Sequence, residues 1–75
     1  MNLGIAVGHT IRRIRTEQNI PLRGMQYISL GHMSEIERGL KQASNEVFES
    51  IAASLHLTTA QLLKEIYEYL EKENN

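Results

Sequence analysis

The stretch Ser29-Leu30-Gly31-His32-Met33-Ser34-Glu35-Ile36-Glu37-Arg38-Gly39 gathers hydroxyl, imidazole, carboxylate and guanidinium groups, and Lys41, Gln42 and Ser44 follow close behind. Such groups can serve catalysis, metal ligation, or recognition through hydrogen bonds and charge. The spacing argues against the first two. No Ser stands with a base at a spacing that suggests a nucleophile, and the glutamates form no carboxylate pair in a forced pocket. His9, His32 and His56 are scattered and the chain has no Cys, so no metal set is expected. We expect no enzyme, no metal and no cofactor. Recognition remains.

Charge says what might be recognised in broad terms. The formal net charge is −1, but it is unevenly spread. Residues 1–44 carry Arg12, Arg13, Arg15, Arg23, Arg38 and Lys41 against three glutamates, a net +3. Residues 45–75 carry Lys64 and Lys72 against six glutamates, a net −4. A basic part of this kind can face phosphates while the acidic part faces away; solvation of helix faces explains the same composition. At 75 residues the chain is one domain, expected over 1–75, and buries only roughly 60% of its unfolded surface. Partnering with a second copy would relieve that shortage. The absence of Cys, of a signal-like start and of a long apolar run points to a soluble cytoplasmic protein with no membrane partner.

The elements that position these groups read as helices throughout. Leu3, Val7, Ile11 and Ile14 recur at helical spacing. Asn19 suits a left-handed stop, and Pro21 opens a new element. A short second helix is expected from Leu22 to about Tyr27, with Gly24 inside it. Ser29 caps a third, Leu30 to Arg38, which Gly39 ends. Ser44 caps a fourth, Asn45 to Leu55. Thr58 and Gln61 form a capping box for a fifth, which runs on through Leu62, Leu63, Ile66, Tyr67 and Leu70. No segment alternates with period two, so the fold class is all-α with five helices. Residues 1–58 hold helices one to four and 59–73 the C-terminal helix.

The residues also carry a resemblance. "VGHTIRRIRTEQNI" resembles the first helix of Cro/repressor-type (Xre-like) helix-turn-helix domains, and "SLGHMSEIERGLKQAS" resembles their recognition helix and the loop after it. "NEVFESIAASLHLTTAQLL" is similar to their fourth and fifth helices, and the resemblance, which has Gly at the position of His56, implies a left-handed backbone there. Within that family "SLGHMSEIERGLKQASNE" is most like the regulators of caseinolytic-protease genes. The resemblance covers roughly Val7 to Leu63 and implies a five-helix, lambda-repressor-like domain. Between the second helix and Ser29 this chain is about three residues shorter than the family pattern, nearly one helical turn.

What the resemblance implies is a recognition helix lying in the major groove of double-stranded DNA. Its base-reading positions are Leu30, Gly31, His32, Ser34 and Glu35. Leu30 can meet only a thymine methyl, Gly31 lets backbones approach, and Glu35 can accept from a cytosine amine. Ser29, Arg38, Lys41, Gln42, Ser44 and, through the altered second helix, Arg23 are the phosphate set. Glu37 is expected to pair at the surface with Arg12 or Arg13. Met33 and Ile36 are expected to face the core.

The C-terminal helix continues past the need of its own core. Leu63, Ile66, Tyr67 and Leu70 fall on one side and are expected to form a homodimer interface, unless the first helix covers them through Leu3 and Val7. The expected function is a dimeric, sequence-specific DNA-binding transcriptional regulator with no small-molecule ligand. The alternative is a protein-binding adaptor or antitoxin-like module on a degenerate helix-turn-helix fold, which the short second helix and the negative total favour.

Overall fold

The computed structural model describes residues 1–74. Among the described residues four α-helices follow one another: α1 (Leu3–Glu17), α2 (Leu30–Glu37), α3 (Asn45–Ser54) and α4 (Thr59–Asn74). A single 3-10 turn, Leu22–Gly24, lies between α1 and α2.

The helices start and stop where short side chains supply what the backbone ends lack. Asn2 caps α1 by accepting from Ile5 N–H at 2.8 Å, a cap beyond those expected from the sequence. Ser29 and Ser44 accept from His32 N–H and Val47 N–H, each at 3.2 Å. Thr58 and Gln61 exchange two bonds, of 2.8 and 3.0 Å, as a capping box requires. Three helices end on a left-handed residue: Asn19 (φ 59°), Gly39 (φ 76°) and His56 (φ 61°). In each case the next amide reaches back to a carbonyl inside the helix: Ile20 to Arg15, Leu40 to Glu35, Leu57 to Ala52.

The five-helix expectation is corrected here, because the second element is not an α-helix. Pro21 is extended (ψ 157°), Met25 is extended again, and Tyr27 is left-handed (φ 64°). The seven residues between Pro21 and Ser29 must turn the chain and still deliver Met25 into the core. The turn is confined to Leu22–Gly24, with Pro21 and Met25 extended on either side. The loop is held instead by Gln26 N–H donating to Ser54 Oγ at 3.0 Å.

One core joins all four helices, through Ile11 and Ile14 of α1, Met33 and Ile36 of α2, Ile51 and Leu55 at α3, and Leu62 and Ile66 of α4. Leu3 of the expected first-helix stripe stays half exposed; Ala6 and Thr10 are buried instead. The α1–α2 crossing is close. A Cβ at Gly8 would lie 2.5 Å from the carbonyl oxygens of both Ile36 and Glu37. Between α1 and α4, the His9 and Tyr69 rings stack with centroids 4.2 Å apart, and Arg13 reaches Glu65 at 3.7 Å. No helix among the described residues is long and apolar enough to cross a membrane.

Candidate nucleic-acid interface

Helix α2 has two faces with separate tasks. Met33 and Ile36 are buried against the core, as expected. Leu30, Ser34 and Arg38 are spaced by four, and Gly31 and Glu35 join them on the same side. Leu30 and Gly31 are exposed, Ser34 and Glu35 half-buried, and Arg38 exposed at the helix end. His32 falls at the edge of this arc, beside the buried Ile36, and is half-buried like Ser34 and Glu35.

The expected phosphate set surrounds both ends of this face. Ser29 lies at its N-terminus, and its hydroxyl oxygen already accepts from His32 N–H, leaving the hydroxyl hydrogen to donate elsewhere. Arg38 closes the helix. Lys41, Gln42 and Ser44 lie in the loop that Gly39 releases, all exposed. Among the described residues Arg38 and Lys41 make no ion pair, so both charges are available. Arg23 is exposed on the 3-10 turn.

A buried ion pair fixes the C-terminal end of α2. Arg15 donates from Nε to Glu37 Oε2 at 2.7 Å and from Nη2 to Oε1 at 3.0 Å, a bidentate fork. Its Nη1 donates to the Ile20 carbonyl at 2.8 Å. The two side chains are 12% and 7% exposed. This corrects the expected surface pairing of Glu37 with Arg12 or Arg13. Arg13 turns instead to Glu17, at 3.0 Å, and to Glu65. One guanidinium thus ties α2 both to α1 and to the turn that follows α1.

The expected dimer stripe on α4 divides. Ile66 is 1% exposed and belongs to the chain's own core, so it offers almost no surface to a partner. The arc that α1 and α3 cover on α4 is wider than the one Leu62 alone would need. Leu70 is half-buried against that core. Leu63 and Tyr67 remain exposed, and they line one apolar trough with Leu3, Val7 and Phe48. Leu3 and Val7 therefore flank the stripe without closing it.

Comparison with known proteins gives this geometry its context. No family model matches the chain. The transcriptional regulator ClgR of Mycobacterium tuberculosis, from strains CDC 1551 and H37Rv alike, is 38% identical over 60 residues. The aligned segment takes up 76% of this chain, and the chain spans about half (54%) of the length of these curated relatives. A crystal structure of the clp gene regulator ClgR from Corynebacterium glutamicum superposes with a TM-score of 0.90 at 28% identity, over 99% of this chain and 82% of that one. A second crystal structure of the same regulator gives a TM-score of 0.81 at 31% identity, over 91% and 92% of the two chains. At 31% identity over 92% of that second chain, the protein belongs to the family of ClgR regulators.

Proposed function

We propose that the protein is a sequence-specific DNA-binding transcriptional regulator of the Cro/repressor helix-turn-helix type, with α2 as its recognition helix. The observation that carries this reading is the division of α2. One face is clamped into the core by Met33, Ile36 and the Arg15–Glu37 pair, and the other presents Leu30, Gly31, Ser34, Glu35 and Arg38 outward. His32 reads from the edge. Ser29, Arg38, Lys41, Gln42 and Ser44 anchor the phosphates, with Arg23 a distant sixth. ClgR relatives that regulate transcription support the assignment.

Anchors and readers separate in a fluorescence-anisotropy titration of duplex DNA at two salt concentrations. Arg38→Ala and Lys41→Ala should each weaken binding to every duplex alike. Each should also flatten the log–log salt slope by about 1, the counterion no longer released. An effect confined to one sequence would make that residue a base reader. A wild-type chain with no salt-dependent affinity for any duplex would leave the adaptor reading in its place.

Residues 1–58 then form the DNA-binding part and 59–73 the helix that pairs with a second copy. In this reading Leu63 and Tyr67 meet their mates across a two-fold axis, with Leu70 at the margin. Such pairing sets two recognition helices about one DNA turn apart, ~34 Å. Leu63→Glu with Tyr67→Glu should give a monomer in analytical ultracentrifugation that keeps its helical circular dichroism and binds full operators no better than half-sites. A variant that sediments as a dimer rules the pairing out.

A further inference from the structure

The first turn of α2 presents an aliphatic side chain and a bare backbone where a hydrogen-bonding reader would be expected. Leu30 is 55% exposed and lies outside the core. A Cβ built at Gly31 would meet nothing within 4 Å, and the residue is not left-handed. Neither packing nor backbone conformation requires glycine there. Within a helix, glycine is the poorest residue after proline, because it gives up the most backbone freedom. The chain thus carries a helix-weakening residue for which its own fold has no use, next to a leucine its own core does not cover.

One occupant accounts for both. Resting on the reading that α2 lies in the major groove, we infer that Leu30 and the open space over Gly31 receive the 5-methyl group of a thymine, and that this pair reads pyrimidine methylation at one position of each half-site. The thymine methyl is the one apolar group that an unmodified base pair displays in that groove. Leu30 supplies the carbon surface it packs on. Gly31, lacking a Cβ, leaves the volume that the methyl fills. Uracil at the same position offers the same hydrogen-bonding edge without the methyl, so it isolates this contact from every other.

The test starts from the duplex that the wild-type chain selects out of a random-sequence library. Each thymine is replaced singly by deoxyuridine, and binding is read by anisotropy. One position per half-site should weaken about four-fold, the worth of one methyl taken out of water. Leu30→Ala, a change outside the core, should bind the thymine and deoxyuridine duplexes equally. Gly31→Ala should melt no lower than wild type, since alanine suits the helix better. It should nevertheless bind the thymine duplex about ten-fold more weakly, and favour deoxyuridine, because its own methyl now occupies the space. If no thymine is sensitive, or Gly31→Ala binds as wild type does, the inference is wrong while DNA recognition stands. If the library yields no selected sequence at all, the DNA-binding reading itself fails.

Discussion

Glu37→Leu will lower the stability of the domain by about 3–5 kcal/mol, because it strands the Arg15 guanidinium in a nearly closed site. A domain of this size rarely has more than 5–15 kcal/mol in hand. At about 4–8 °C per kcal/mol, the melting temperature should fall by tens of degrees. The loss comes from the uncompensated charge rather than from the worth of the pair. Replacing both partners, Arg15→Met with Glu37→Leu, should therefore recover most of it. Thermal denaturation followed by circular dichroism distinguishes these outcomes. A single variant that melts within a few degrees of wild type would show that water reaches Arg15 freely. The double variant still lacks the bond from Arg15 to the Ile20 carbonyl. It should fold, yet hold the turn after α1 more loosely.

Gly8→Ala is expected to be almost as damaging, by a different route. In an isolated helix the change would help by up to about 1 kcal/mol. Here the new methyl would meet the carbonyl oxygens of Ile36 and Glu37 at 2.5 Å. Both are backbone atoms, so no rotamer relieves the contact and the two helices must move apart. Overpacking of this kind costs about 1–3 kcal/mol, and a clash with two rigid groups belongs at the upper end. We expect a net loss of about 2–3 kcal/mol in urea denaturation. On the proposed reading DNA affinity should fall with it, since the displaced partner is α2 itself. Gly4→Ala is the control: its Cβ would sit 3.5 Å from Asn2 Oδ1 and 3.9 Å from the Gly39 carbonyl, ordinary contacts. That variant should be neutral or slightly stabilised. Equal stability of the Gly8 variant and wild type would mean that α1 and α2 cross more loosely than described.

The helix ends were the part most legible in the sequence. Ser29, Ser44, the Thr58–Gln61 box, Asn19, Gly39 and His56 all took the expected roles. Caps are decided within a few residues, so local chemistry suffices. Contacts between helices were less legible. Choosing among Arg12, Arg13 and Arg15 needs the line along which α1 meets α2. That line is written in the spacing Gly8, Ile11, Arg15, three then four, with the glycine marking the closest approach. Ile66 was misplaced for a related reason. Periodicity shows which way α4 points its apolar residues, but not how wide an arc its neighbours cover. The element after Pro21 was recognised as short and poor. Its reduction to a 3-10 turn leaves Met25 extended and buried, a tertiary demand that propensity does not weigh.

The two faces of α2 share no residue. Met33, Ile36 and Glu37 hold the helix in place, while Leu30, Gly31, Ser34, Glu35 and Arg38 only present themselves. On the proposed reading, mutations in the second group meet little folding constraint, least at the exposed Leu30, Gly31 and Arg38, whereas those in the first are purged before any target is tested. A lineage carrying this domain can therefore drift to new sequences one outward side chain at a time, through intermediates that all fold. Duplicated copies would diverge fastest at those five positions and scarcely at all at Gly8 and Arg15.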